Sequence, residues 1–166
     1  MALQSLYGDK ILALVNNIPQ KDVVSSNYRG RARIISDRVS MATAANVAST
    51  IAFAKIPSSA NLLRLSKLFF GAAGAGVTLD IGFKDDASIS LSGKTAALAS
   101  AVDVSSAGNT DLIVAPTIDK IGSALWEVLG LTEDPRKDLT LILTTGGAAT
   151  AGGATIFALE AFFVVD

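Results

Sequence analysis

Hydrophobic and polar positions alternate over many short stretches of this chain. The clearest case is residues 77–84, where Val77, Leu79, Ile81 and Phe83 alternate with polar or small residues. A two-residue period is typical of a strand with one buried face. Turn-forming residues separate similar but shorter stretches. The pattern therefore predicts further strands at residues 30–39, 50–56, 62–70, 88–91, 111–114 and 121–131.

The C-terminal stretch is the most apolar part of the chain. Residues 139–144 alternate, residues 155–165 are apolar on both faces apart from Glu160, and residues 146–153 between them are rich in glycine and alanine. This order predicts one long β-hairpin with an extended loop. Because the second arm is apolar on both faces, we expect it to lie between two layers or to contact another subunit.

The N-terminal residues follow a different period. Apolar residues recur there at spacings of three and four, which is typical of one face of a helix. Pro19 ends the pattern, and a polar linker follows it. Two interpretations stay open: an arm that docks on a partner, or a helix packed on its own domain. We divide the chain into an N-terminal arm or short helix at residues 1–28 and a β domain at residues 29–166.

Many short strands separated by turns, with little helix, indicate a mainly β protein. We predict an antiparallel β-sandwich of jelly-roll-like type.

Composition narrows the range of functions. The chain has 166 residues, half of them hydrophobic, a net charge of −1, no cysteine and no histidine. The balanced charge argues against nucleic-acid binding through bulk electrostatics. The missing residue types remove disulfides, the commonest metal ligands and the commonest general base. We therefore expect no enzymatic activity, no catalytic residues, no cofactor and no bound metal.

Three further segments could suggest other functions. Residues 71–76 are glycine-rich but lack the phosphate-loop motif, so a turn is expected. Asp80, Asp85 and Asp86 could suggest a metal site, but they lack the spacing of a calcium loop, and Asp85 and Asp86 are interpreted as turn formers after the strand. Residues 139–159 carry no charge, but their small-residue centre and alternating ends favour strands over a membrane helix. No signal peptide pattern precedes them, so synthesis in the cytoplasm and no membrane contact are expected.

Basic residues cluster where the first strand is predicted. Arg29, Arg31, Arg33 and Arg38 lie within ten positions. They could bind an acidic protein surface or a phosphate backbone. They could equally protect an exposed edge strand from aggregation, since charge on an edge discourages unwanted pairing.

The order of motifs resembles that of tailed-bacteriophage capsid decoration proteins, also called cement or head-stabilising proteins. The resemblance lies in the Ile56-Pro57 turn before Leu62-Leu63-Arg64-Leu65, in the glycine-alanine linker before residues 77–83, and in the two apolar C-terminal segments. It covers about residues 31–165. It implies a jelly-roll sandwich on the outside of the virion that binds the major capsid protein and stabilises the shell by bridging its subunits. It also implies a homo-oligomer, with a trimer expected first and a dimer second.

Two alternatives use the same fold class. One is another structural module of the virion, such as a head-fibre base or a tail component. The other is a carbohydrate-binding sandwich, although such a module usually needs several exposed aromatic residues and this chain has one Trp and two Tyr. For a partner interface, the candidate residues are apolar or basic: Leu3, Leu6, Tyr7, Ile11, Leu14, Arg29, Arg31, Arg33, Phe69, Phe70, Trp126 and Phe162.

Overall fold

A computed structural model describes residues 31–41, 44–89, 91–114, 116–151 and 155–165. These residues form nine strands, one short α-helix and two 3₁₀ turns. The strands are β1 (Arg31–Met41), β2 (Thr50–Pro57), β3 (Asn61–Leu62), β4 (Lys67–Phe70), β5 (Val77–Phe83), β6 (Ala99–Asp103), β7 (Gly108–Asp111), β8 (Asp138–Gly147) and β9 (Thr155–Val165). Helix α1 spans Leu125–Val128, and the 3₁₀ turns span Ala87–Ile89 and Ile118–Lys120.

The strands form two antiparallel sheets. Sheet A has the order β1-β9-β4-β7, and β3 also pairs with β9. Sheet B has the order β2-β8-β5-β6. The two sheets pack face to face, so the predicted mainly β antiparallel sandwich is confirmed. Within the described residues, no helix is long and apolar enough to cross a membrane.

The core lies between the two inner faces. Sheet B contributes Leu79, Ile81 and Phe83 of β5, all fully buried, and sheet A contributes Phe157 and Leu159 of β9. The predicted alternation of β5 is confirmed, because its odd-numbered residues are buried while Thr78 and Asp80 are only half-buried. The apolar pattern thus identified the buried face of this strand correctly.

The predicted C-terminal hairpin is wrong, because β8 and β9 belong to different sheets. Strand β8 pairs with β2 and β5, whereas β9 pairs with β1, β3 and β4. Each strand is apolar enough to form the centre of a sheet. Placing them in opposite layers lets both bury their apolar faces against one another instead of exposing one face each. Gly147, with a φ of +67°, lies at the end of β8 where the chain leaves sheet B.

The strand predicted around the only tryptophan is also wrong, because residues 125–128 form helix α1. The backbone N–H of Leu125 donates to the carbonyl of Ala60 at 2.8 Å, and that of Trp126 donates to the carbonyl of Ser58 at 3.0 Å. Two of the N–H groups that a helix start leaves unpaired are therefore satisfied by the turn after β2. Distant carbonyls stabilise this helix, and a local pattern could not reveal them.

Three other predictions need correction. Residues 62–70 form two strands, because a turn at Arg64 and Leu65 separates β3 from β4. The strand predicted at 88–91 is replaced by the first 3₁₀ turn. The strand predicted at 111–114 overlaps β7 only at Asp111, because β7 spans Gly108–Asp111. The strands predicted near residues 30–39 and 50–56 are confirmed as β1 and β2.

Two threonines fix the connection between β1 and β2. The hydroxyl of Thr145 donates to the carbonyl of Asn46 at 2.7 Å and accepts from the N–H of Ser49 at 3.0 Å. The hydroxyl of Thr150 accepts from the N–H of Ala45 at 2.7 Å. Both threonines are almost fully buried. The connection is thereby attached to the end of β8 and to the segment that follows it.

Candidate partner-binding surface

Sheet A has an outer face that points away from the core. In β9 the odd-numbered residues from Thr155 to Val165 are buried, whereas Ile156 and Glu160 are exposed and Ala158 and Phe162 are half-buried. Cross-strand partners in an antiparallel sheet point to the same side. The outer face of sheet A therefore comprises the even-numbered residues of β9 with their partners on β1, β4 and β7.

A row of alternating charge crosses this face. Glu160 lies between Ser36 of β1 and Lys67 of β4, and Lys67 lies opposite Asp111 of β7. The Nζ of Lys67 is 2.8 Å from Oδ1 of Asp111, and both side chains are about half exposed. An exposed pair of this kind contributes about 0–1 kcal/mol to stability. On a binding surface, an ion pair such as Lys67–Asp111 contributes more to the choice of partner and to the register of binding than to stability.

Apolar side chains lie on both sides of the charged row. On one side, Phe69 is 38% exposed and Ile156 is 42% exposed. On the other side, Ile34 is 64% exposed and lies opposite Phe162. A partner that covers this face would bury its exposed apolar side chains, and the paired charges between them would help to specify the partner. The face has the chemistry to bind another protein.

The break between β3 and β4 adds an exposed apolar residue that the sequence did not identify. Leu65 is 68% exposed at the tip of the turn. In the continuous strand predicted at residues 62–70, Leu65 would share a face with Leu63 and Phe69, so its exposure in a turn was not expected. No signal in the sequence distinguishes this turn from a continuous strand except the single serine, Ser66, that closes it.

The structure separates the basic candidate residues from the aromatic ones. Arg31 and Arg33 lie opposite Val165 and Phe163 on β9, so they point toward the inner side of sheet A. Both arginines are nevertheless exposed. They lie at the edge of the sandwich and on the other side of the sheet from Phe69.

Phe70 and Trp126 occupy different environments. Phe70 lies opposite Phe157, is 9% exposed and belongs to the core, so it is not available for a partner. It alternates with Phe69, and only one residue of such a pair can face outward. Trp126 is half-buried in helix α1. Phe162 is half-buried on the outer face of sheet A. The other candidates, Leu3, Leu6, Tyr7, Ile11, Leu14 and Arg29, lie outside the described residues.

The acidic residues considered as metal ligands make local hydrogen bonds. Asp80 accepts from the N–H of Ala101 at 2.8 Å, and Asp86 accepts from the N–H of Ser88 at 2.9 Å. The hydrogen bond from the Ser88 hydroxyl, with smaller contributions from its backbone, lowers the pKa of Asp86. Among the described residues, no group of three acidic side chains could hold a metal ion.

Comparisons with known proteins give a similarity of fold. Neither a family model nor a curated protein matches the chain. Among solved structures, a chain described as "Cyanophage Pam1 capsid asymmetric unit" superposes with a TM-score of 0.57. The match covers 92% of this chain and 99% of that chain, with 12% sequence identity. This sandwich therefore shares its fold, over nearly its whole length, with a chain of a cyanophage capsid assembly.

Proposed function

We propose that this protein is a structural component of a bacteriophage virion, which binds the outside of the capsid and stabilises it by bridging subunits of the major capsid protein. The fold similarity to a chain of a cyanophage capsid assembly carries the proposal, because it extends over almost all of both chains. The order of motifs in the sequence, which resembles that of decoration proteins, is a separate observation and supports the same role.

The outer face of sheet A is our proposed contact with the capsid protein. Its charged residues alternate in sign, so it presents no uniform field that would favour a polyanion. Its exposed apolar groups, Ile34, Phe69 and Ile156, offer surface whose burial is favourable. Stable protein interfaces bury about 800 Å² per partner. The face of a five-stranded sheet can provide an area of this order.

A role in bridging requires contact area and no chemical step. A shell that packs DNA is under outward pressure, and a protein bound across the joints between subunits adds contacts that must break before the shell opens. In this proposal the protein is not an enzyme, and it needs neither metal nor cofactor. A homo-oligomer would increase the number of contacts, since linked binding sites raise the overall affinity.

The proposal can be tested with purified shells of the cognate major capsid protein. The wild-type protein is expected to co-sediment with the shells and to raise the temperature at which they open. Phe69→Asp and Ile156→Asp should each weaken binding, because they place a charge in the apolar part of the interface. Val47→Asp is the matched control: Val47 is 51% exposed in the connection between β1 and β2, away from this face.

Two results would contradict the proposal. One is wild-type protein that stays in the supernatant at every concentration while the shells are intact. The other is specific binding to a glycan with no binding to shells, which would favour the carbohydrate-binding alternative. Equal binding by the Phe69 and Val47 variants would reject the outer face of sheet A as the contact.

A further inference from the structure

Strand β1 is the edge of sheet A and is unusually exposed for its length. It pairs with β9 along all of Arg31–Met41. Ile35, Val39 and Met41 are half-buried, and the other residues of the strand are exposed. Among the described residues, no strand lies on its other side. A long edge that stays unpaired is prone to pairing with another chain, so proteins either protect it or use it for association.

The hydrogen bonds of β9 show which groups of β1 face outward from the sheet. The N–H and C=O of Phe162 are directed to the β3–β4 side, where they meet the Ser66 hydroxyl and the Leu63 N–H. Antiparallel strands direct alternate residues to opposite neighbours. The odd-numbered residues of β9 therefore bond to the odd-numbered residues of β1. It follows that the even-numbered residues of β1 direct their N–H and C=O groups to the free edge, from Ala32 to Ser40.

The side chain of Asp37 supports this assignment. Its Oδ1 accepts a hydrogen bond of 2.7 Å from the backbone N–H of Arg38, one of the groups directed to the free edge. The carboxylate thus occupies one edge position in the single protomer. An incoming strand would have to displace it, and the displaced carboxylate would then need a cation.

Such a cation is present on a second copy of the same strand. We propose that two copies of β1 pair in an antiparallel manner about a two-fold axis through Ile35, which joins sheet A of two protomers into one continuous sheet. In this register Arg33 lies opposite Asp37 of the other copy, twice by symmetry. Ile35 lies opposite its own copy, and Arg31 lies opposite Val39. The carboxylate of each Asp37 releases the backbone N–H of Arg38, which then donates a hydrogen bond to the backbone of the opposing strand.

Neighbouring registers are less favourable. In a continuous sheet, residues that lie opposite each other must point to the same face. Any alternative two-fold axis must therefore also pass through a residue of β1, and not between two residues. An axis through Asp37 or Arg33 would place like charges directly opposite each other, which is destabilising. An axis through Ile34 pairs Arg31 with Asp37 but leaves Arg33 opposite Ile35. The axis through Ile35 pairs all of residues 31–39 and gives each inner-face aspartate an arginine.

Pairing of two β1 strands does not depend on capsid binding. It also selects between the two oligomers implied by the resemblance, because a two-fold seam closes on a dimer. The seam leaves the outer face of sheet A accessible on both protomers. The joined outer faces would then present two copies of the proposed contact surface side by side.

The first test is a proline scan of the edge with the full-length protein. Sedimentation or light scattering should give twice the protomer mass of 17.0 kDa for the wild-type protein. Ser36→Pro should give a monomer that still unfolds in one cooperative thermal transition, since Pro removes an N–H directed to the free edge but none directed to β9. Ser40→Pro removes an equivalent outward N–H beyond the paired residues and should remain dimeric. A wild-type monomer, or a Ser36→Pro dimer that folds normally, would overturn the proposal.

A charge exchange distinguishes self-pairing from pairing with any other strand, including residues 1–30 of the same chain. Arg33→Asp and Asp37→Arg should each be monomeric, because each places like charges opposite each other. Mixing the two variants should restore a heterodimer, detected by native mass spectrometry, because both cross-strand pairs are then of opposite charge. Failure of the mixture to associate, while each variant remains folded, would overturn the proposed register.

A cysteine provides an independent measure of the axis. The wild-type chain contains no cysteine. Residues opposite each other in a non-hydrogen-bonded antiparallel pair have Cα atoms about 4.5 Å apart, within the usual range for a disulfide. Mild oxidation of Ile35→Cys should therefore give a covalent dimer in high yield. Ser40→Cys, far from its own copy in this register, should not, and equal cross-linking of both variants would overturn the proposal.

Discussion

The hydroxyl of Ser66 takes the place of a backbone group opposite Phe162. It accepts a hydrogen bond from the N–H of Phe162 at 2.9 Å and donates one to the carbonyl of the same residue at 3.1 Å. Ser66 is fully buried. The turn at Leu63–Ser66 separates β3 from β4 and interrupts their backbone hydrogen bonds to β9. The Ser66 side chain supplies the missing hydrogen bonds at Phe162.

Ser66→Ala should lower the free energy of unfolding by about 1–3 kcal/mol, because the buried N–H of Phe162 loses its acceptor. The carbonyl of Phe162 still accepts from the N–H of Leu63 at 2.8 Å, so the loss concerns mainly the donor. Urea denaturation measures the change. Ser59→Ala, an exposed serine in a nearby turn, should stay within about 0.5 kcal/mol of the wild type. Equal values for the two variants would contradict the role of the Ser66 hydroxyl.

Gly82 gives a second stability prediction, based on close approach of two backbone segments. A Cβ atom at this position would collide with the backbone of Lys94 and Thr95, which crosses β5 there. The N–H of Phe83 donates to the carbonyl of Lys94 at 2.9 Å and holds the two segments together. Gly82→Ala should destabilise the protein by about 1–3 kcal/mol or more, since neither backbone can move without breaking this contact.

Gly71→Ala is the matched control for this prediction. A Cβ atom there would lie 3.6 Å from the nearest backbone atom, Ile156 N, which is ordinary van der Waals contact. Its effect on the midpoint of thermal unfolding should be small and could be slightly favourable, because Ala restricts the unfolded chain. A midpoint for Gly82→Ala equal to that of the control would show that the crossing segment yields easily.

Asp86 provides a prediction about pH. Its pKa lies below the ordinary value of 3.8, chiefly because of the hydrogen bond from the Ser88 hydroxyl and then that from the Ser88 N–H. A carboxyl group whose pKa is lower in the folded state stabilises the protein above the unfolded pKa, and this contribution is lost as pH falls through the folded pKa. Ser88→Ala should raise the pKa of Asp86 toward 3.8.

NMR titration of the Asp86 carboxyl carbon measures this pKa directly. The wild type should be more stable than Ser88→Ala at neutral pH, and the difference should become smaller in acid, where Asp86 is protonated in both. Ser92→Ala, an exposed serine in the same region, should leave the titration unchanged. An unchanged pKa in Ser88→Ala would contradict the assigned cause.

The sequence predicted the fold class and the central strands, but it did not predict which strands pair. The alternation in β5 reports burial of one face, and burial is a local property of the chain. Pairing is not local: β8 and β9 both read as apolar strands, and a pattern cannot say whether they share a sheet. Helix α1 was missed for a similar reason, since carbonyls of Ser58 and Ala60 stabilise its first turn.

The candidate surface was predicted only in part. Phe162 was identified because the last strand is apolar on both faces, and Phe69 because it belongs to an apolar pair with Phe70. Both Phe69 and Phe162 lie on the outer face of sheet A. Phe70 was included because the pattern of the broken strand did not fix which of the two phenylalanines faced inward. Ile34 was missed because the strand pairing, which the sequence does not show, decides that it faces outward. Leu65 was missed because the sequence predicted a continuous strand where the structure has a turn.

The N-terminal arm gives the last prediction, which concerns residues outside the described part of the chain. The apolar stripe that includes Leu6 and Ile11 suggests a segment that binds a partner rather than one that completes the sandwich. The described residues already form two packed sheets with a continuous core. A variant that starts at Tyr28 should therefore keep its thermal transition and bind capsid shells more weakly. Each large apolar side chain buried at the shell is worth about 1.5–3 kcal/mol, so loss of several would be readily measured.

Point variants of the full-length protein separate the stripe from the length of the arm. Leu6→Asp and Ile11→Asp should weaken shell binding, because they place charge on the apolar face. Asn16→Asp adds the same charge off the stripe and should bind like the wild type. If the truncated protein instead unfolds, the segment belongs to the domain core and its apolar face is buried within the protomer. If it folds and binds as tightly as the full chain, the contact lies on the sandwich alone, and the outer face of sheet A must account for all of it.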